Sequence, residues 1–305
     1  MNTLPRREFL KQGVSVIALA TLGPVVWGAE APAANPSPAK RPIRKAIMWG
    51  TIGLKGSVTQ KMKAVKAAGF EGVEMMSHLD QDEVLKARDE AGLVIPSVCG
   101  AEHWSKPLSH PDPKVREEGL EALKQTLRDA ARYGASSVLL VPAVVSREVG
   151  YGDAYARSQE QIRKAIPLAE QLGVKIAIEN VWNQFLLSPL EAARYVDEFN
   201  SPAVGWHFDV GNIINYGFPE QWIRILGKRI QKLHIKEFSL KKRDDQGLRK
   251  GFDVPLLEGD NNWPEVMKAL DEVGYHGWAM TEQDGGDSPA GLADLARRLG
   301  RILSL

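Results

Sequence analysis

The chain has 305 residues, 44% of them hydrophobic and 25% charged, which is ordinary globular composition with length for one large core or two small ones. A formal net charge of +1 offers no basic field for nucleic acid and no acidic tail. Cys99 is the only cysteine, so neither an intrachain disulfide nor a cysteine-based zinc site can form, and the residue reads as a small buried hydrophobe.

The first 34 residues read as a targeting segment rather than as part of the fold. Arg6 and Arg7 precede an apolar run from Gly13 to Trp27 that is short and glycine-punctuated for a membrane span, and Ala29-Glu30-Ala31 and Ala31-Pro32-Ala33 offer small-residue cleavage sites. PRREFLK resembles the twin-arginine (Tat) export signal, with Pro5 where Ser or Thr is more usual. That resemblance implies the Tat machinery as a partner and a periplasmic destination, or a membrane tether if the signal is kept. The lack of disulfides fits a protein that folds in a reducing cytosol before export. Residues 35–44, NPSPAKRPIR, read as a Pro-rich linker.

From Lys45 onward one unit recurs: an amphipathic helix closed by glycine, then a short apolar run, as in KAAGFEGVEM, EQLGVKIAIEN and EVGYHGWAMTE. Strand candidates fall at 45–50, 72–76, 95–99, 137–142, 175–179, 204–209, 231–237 and 277–282, each followed by a helix pattern. Eight βα units predict an α/β fold of the (β/α)₈ barrel type over residues 45–305. An open doubly wound sheet fits less well, because KAIMWGTIG after the linker lacks the G-x-G-x-x-G spacing.

In such barrels chemistry sits at the C-terminal ends of the strands. The candidates there are Glu74, Glu179, Asp209, His234 and Glu282, with Lys236 and Glu237 just past the seventh strand. Each alone has a bland reading as a loop cap or a satisfied core group. Together, converging carboxylates repel one another and are costly to desolvate, and a divalent cation removes that cost. Three carboxylates and an imidazole make an oxygen-rich site that suits Mn²⁺, Mg²⁺ or Co²⁺, with Zn²⁺ or Fe²⁺ also compatible. His207 shares a strand face with Asp209 but lies deeper and reads as barrel filling.

GFEGVE, AIEN, FDVGN, LHIKE and GYHGWAMTE, in this order and spacing, resemble the xylose isomerase-like barrel superfamily, and within it the sugar phosphate isomerase/epimerase group. The resemblance runs from Lys45 to Ile302. It implies Glu179, Asp209, His234 and Glu282 as metal ligands, with Glu179 and Glu282 also the acid/base pair acting on a ketose-like sugar through an enediolate. The family's D-x-x-H at the sixth strand is here Asp209-Val210-Gly211-Asn212, so an amide replaces the imidazole that meets a substrate oxygen. Substrate contacts are expected from Glu74 (a sugar hydroxyl or a loop backbone), His103, Trp182, Asn212, Lys236 and Glu237, the last two alternatively pairing with each other. The run 241–251 reads as a solvated insertion because both charge signs alternate. A keto-sugar lyase using the same intermediate and a non-catalytic sugar-binding barrel remain alternatives. A three-zinc abasic-site nuclease is disfavoured by six scattered histidines and a neutral surface. Apolar outer helix faces leave a homo-oligomer open.

Overall fold

The computed structural model describes residues 41–305. The expected export signal and the expected linker up to residue 40 lie outside the described residues. Short runs of β-branched and apolar residues form eight strands: β1 Ile43–Met48, β2 Gly72–Met76, β3 Ser97–Cys99, β4 Ser137–Leu140, β5 Lys175–Glu179, β6 Val204–Asp209, β7 Ile230–Ile235 and β8 Gly277–Thr281. All neighbours pair in parallel, and β8 pairs back onto β1 through Ile43 opposite Gly277, closing the barrel.

Nine α-helices lie between and after the strands among the described residues: α1 Val58–Ala67, α2 Gln81–Ala91, α3 Pro113–Tyr133, α4 Tyr151–Leu172, α5 Pro189–Asp197, α6 Pro219–Leu226, α7 Leu240–Gln246, α8 Trp263–Glu272 and α9 Pro289–Ile302. Side-chain caps start most of them: Ser57 with Gln60 in a reciprocal box on α1, Asp80 on α2, Asp112 on α3, Ser188 on α5 and Ser288 on α9. Gly134 and Gly173 take left-handed φ values of 75° and 65° and turn α3 and α4 into the following strands. None of the described helices is long and apolar enough to cross a membrane.

Alternation along the strands separates two environments. Trp206 and Phe208 of β6 are fully buried in the layer between sheet and helices, where Phe208 stacks on Trp222 of α6. Their neighbours Gly205, His207 and Asp209 share the opposite face, which lines the barrel. There the filling is small or polar: Ala46, Gly72, Ser97, Ser137 and Ala177 leave room for Glu74, His207 and Lys232.

The strands predicted at 72–76, 175–179 and 204–209 are observed with those limits. The first strand starts two residues earlier than predicted. Ile43 is buried and Arg44 pairs with Trp278, so the end of the expected linker belongs to the barrel wall. The run 241–251 is an insertion as predicted, but it is structured, carrying α7 and a 3₁₀ turn over Leu248–Phe252 before α8.

At the end of β6 the chain passes close to β7. A Cβ at Gly211 would lie 2.6 Å from the carbonyl oxygen of Lys236. Gly211→Ala is therefore expected to lower unfolding stability by about 1–3 kcal/mol, measured by urea denaturation. Wild-type stability would show that this approach is not a constraint.

Candidate active site

Asp209 is fixed by its neighbours before any ligand enters. Asn180, one residue past β5, donates from Nδ2 to the Asp209 carbonyl at 2.7 Å, and its Oδ1 accepts from the Asp209 N–H at 3.0 Å and from Trp206 Nε1 at 3.1 Å. The Asn212 N–H donates to Asp209 Oδ1 at 2.8 Å. One carboxylate oxygen is thus committed to the backbone, while Oδ2 faces Lys236 at 3.2 Å and His234 at 4.0 Å.

His234, near the end of β7, is the meeting point. Its Nδ1 lies 2.9 Å from Glu179 Oε1, 3.3 Å from Glu282 Oε2 and 4.0 Å from Asp209 Oδ2. The ligand atoms of Glu179, Asp209, His234 and Glu282 all fall within 4.8 Å of one another. Glu282 sits one residue beyond β8, held by its N–H donating to the Ile235 carbonyl at 3.1 Å, and with a side chain 24% exposed it is the most open of the four. Lys236 bridges the rim, with Nζ 2.5 Å from Glu282 Oε2 and 3.2 Å from Asp209 Oδ2.

Burial dominates the electrostatics. It pushes the Glu179 carboxyl up to about 7 and also raises Asp209. Burial also pushes Glu282 up, but the charges of Lys236 and His234 outweigh it and hold that carboxyl well below its usual range. His234 is pushed down by burial and lifted well above its usual value by Glu74 and Glu282. The centre carries more carboxyl groups than cations. A divalent ion fits this donor set on two grounds: hard oxygen ligands with one imidazole, and the buried Asp209 Oδ2 and Glu282 Oε2, which meet only the cations Lys236 and His234. Such an ion would take over the neutralising role that Lys236 and the His234 proton play here.

Above the centre opens a cavity of about 560 Å³. Of the expected substrate contacts, His103, Trp182, Asn212 and Lys236 line it. His103 Nδ1 accepts from the Val141 N–H at 3.4 Å, and burial pushes the ring's pKa down to about 4, so it faces the cavity as a neutral imidazole. Trp182 donates from Nε1 to the Asn212 carbonyl at 2.9 Å and packs against Phe252, ring centres 4.9 Å apart. Asn212 spends an Nδ2 proton on the Asn180 carbonyl at 3.0 Å, so its amide is already oriented. Cys99 lines the wall, and burial beside the carboxylates raises its thiol well above the usual range, keeping it a neutral hydrophobe.

Two expected substrate contacts are corrected. Glu74 is fully buried beneath the centre, with Oε2 2.6 Å from His234 Nε2, so it cannot reach a substrate hydroxyl. Glu237 is fully buried outside the cavity and does not pair with Lys236. It accepts from the Leu257 N–H at 2.6 Å, the Asn261 N–H at 3.1 Å and Trp263 Nε1 at 2.8 Å, tying the insertion to the start of α8. His207 is filling, as expected: fully buried, with its pKa lowered by burial and neither ring nitrogen hydrogen-bonded.

Sequence reasoning missed Arg249 and Phe252, which line the cavity from the insertion. Their only signal was the Gly-Phe closing the charged run. Gln283, beside Glu282, was also missed. Its Oε1 accepts from the Glu237 N–H at 2.7 Å, and its Nε2 donates to the Phe252 carbonyl at 3.0 Å and the Val254 carbonyl at 2.8 Å.

A closed parallel barrel with a buried carboxylate–imidazole centre at the C-terminal mouth defines a (β/α)₈ protein whose mouth could hold a metal ion. Residues 62–302 match the xylose isomerase-like TIM barrel model, and the chain belongs to that family. Among curated relatives, the L-ribulose-5-phosphate 3-epimerase UlaE of Escherichia coli O1:K1 / APEC is 24% identical over 245 residues, covering 74% of this chain and 84% of that protein. A D-psicose 3-epimerase crystallised in the presence of D-fructose shares the fold with a TM-score of 0.70 at 20% identity, covering 85% of this chain and 98% of its own. The 3-keto-D-glucoside 4-epimerase YcjR from E. coli does so with a TM-score of 0.72 at 16% identity and the same coverage.

Replacing Glu237 with Ala would strand three buried donors. The expected result is a stability loss of about 3 kcal/mol or more by urea denaturation, with sugar binding per folded molecule unchanged. A selective loss of sugar binding at full stability would restore Glu237 as a substrate contact.

Proposed function

We propose that the protein is a metal-dependent sugar epimerase or isomerase acting on a ketose or keto-sugar, with Glu179 and Glu282 as its acid/base pair. The observation that carries this reading is geometric: two carboxyls, from β5 and the end of β8, flank one imidazole beneath the cavity, 2.9 Å and 3.3 Å from its Nδ1. Two carboxyl groups held at one cavity floor can act in turn as proton acceptor and proton donor. The epimerase relatives support the same reaction class.

Glu179, Asp209, His234 and Glu282 would hold a divalent ion, Mn²⁺, Mg²⁺ or Co²⁺ on the hardness of the donors. Bound there, it would supply Lewis-acid stabilisation of the negative charge that develops on the substrate's carbonyl oxygen. Glu282, ionised and facing the cavity, removes the hydrogen beside the carbonyl. Glu179 returns a proton to the opposite face, giving an epimer, or to the neighbouring carbon, giving an isomer. Lys236, freed from its carboxylates, donates to a substrate oxygen, and the Trp182–Phe252 wall receives the apolar face of the sugar ring. Export to the periplasm is part of the proposal on the strength of Arg6, Arg7 and the apolar run alone.

The test is deuterium incorporation beside the carbonyl when the Mn²⁺-loaded protein is incubated in heavy water with ketoses and 3-keto-glycosides. Glu179→Gln and Glu282→Gln should each slow exchange by about 10²–10⁴-fold while the barrel still folds. Full exchange in both variants, or sugar binding without exchange across the panel, would overturn the assignment. Loss of water or aglycone in place of an isomeric sugar would make the protein a lyase.

Ion affinity has a pH signature. His234 must give up its Nδ1 proton and Glu179, raised to about 7, its carboxyl proton before they can ligate, so affinity should rise by about tenfold or more per pH unit between about pH 6 and 8, most steeply below about pH 7, read by chelator competition. An affinity flat over that range contradicts His234 as a ligand.

A further inference from the structure

Below the centre lies a second buried layer that touches no substrate. Glu74 of β2 is fully buried, with Oε2 2.6 Å from His234 Nε2 and Oε1 3.9 Å from His207 Nδ1. The rings of His207 and His234 meet edge to face with centres 4.2 Å apart. A carboxylate so close to Nε2 requires the proton on that nitrogen. When the ring carries one proton, its lone pair is then on Nδ1, the nitrogen that faces Glu179, Asp209 and Glu282. We infer that Glu74 is a positioning residue that fixes the His234 tautomer and ring orientation and strengthens Nδ1 as a ligand.

Glu74, His207 and His234 also lie close enough together to raise the question of a second ion. The 2.6 Å contact answers it. It joins Glu74 Oε2 directly to His234 Nε2, and the layer offers one carboxyl group to two imidazoles with the Lys232 side chain acting on His207, a poor donor set for a hard cation, so the layer is a support. Nor does the layer look like a stability device. Glu74 Oε1 and both His207 ring nitrogens are buried without hydrogen-bond partners, an arrangement that costs folding energy. Four strands are thereby tied to one ring: β5 and β6 supply carboxylates to its Nδ1 side, β7 carries it, and β2 holds its far nitrogen.

The inference rests on the metal reading of the site but not on the sugar chemistry, and it is tested on ion binding alone. Mn²⁺ affinity and stoichiometry would be measured by chelator competition and elemental analysis, with the melting temperature of the metal-free protein measured alongside. Glu74→Gln keeps an acceptor for Nε2–H but loses the charge, and should weaken binding about 10-fold. Glu74→Leu removes both and should weaken it toward about 100-fold. Metal-free stability should be unchanged in Glu74→Gln, any fall in Glu74→Leu, where the Nε2–H loses its Glu74 acceptor, should be smaller than the loss of ion affinity, and the wild type should bind one ion per chain. Wild-type affinity in both variants, an affinity loss that merely tracks lost stability, a second ion per chain, or no ion bound by the wild type would each overturn it. Failure of proton exchange with the ion bound and Glu74 behaving as described would instead fault the sugar reading.

Discussion

The structure turns on one imidazole. His234 stands where carboxyl groups from four different parts of the barrel converge, three on its Nδ1 side and Glu74 on its Nε2 side. Burying several like charges together is unfavourable, and a protein without a closed frame would relax by letting them drift into solvent. The closed sheet prevents this, because each carboxyl is anchored to a strand hydrogen-bonded on both sides. The charge strain is balanced by the Lys236 ammonium and the His234 proton, and the perturbed carboxyls of Glu179 and Glu282 are its direct chemical product.

Most of this frame is legible in the sequence. Glycine-closed helices followed by short apolar runs mark the repeat, and the motifs around Glu179, Asp209, His234 and Glu282 mark the mouth. Strand alternation gives the face of a residue but not its depth. Glu74 has the same parity as Met76, which lines the cavity, and only the barrel's stagger puts one in the mouth and the other beneath the centre. Glu237 was misread for a different reason. It lies beyond the end of β7, where alternation no longer applies, and its Trp263 partner is 26 residues away across the insertion. Arg249 and Phe252 were hidden in a charged run whose composition is that of a solvated surface, while its fold brings one end back over the cavity.

The division of labour follows. The four clustered side chains come from strand ends or the residue just beyond, whereas the upper wall comes from loops: His103 after β3, Trp182 after β5, Arg249 and Phe252 from the insertion after β7. A centre on the strand ends beneath walls built from loops is an arrangement by which one barrel fold can serve many substrates.

The two halves are nonetheless mechanically joined at Gln283. Its side chain holds the Phe252 and Val254 carbonyls of the insertion and the Glu237 N–H, while its backbone continues directly from Glu282. Pressure on the Phe252 wall is therefore delivered, through one amide group and one peptide bond, to the carboxylate that faces the cavity. The wall cannot be exchanged for another as an independent module: a graft that discards the Phe252 and Val254 carbonyls would also release the anchor of the neighbouring glutamate. Side chains on the insertion can therefore change without disturbing Glu282 only while the Phe252 and Val254 carbonyls keep their places.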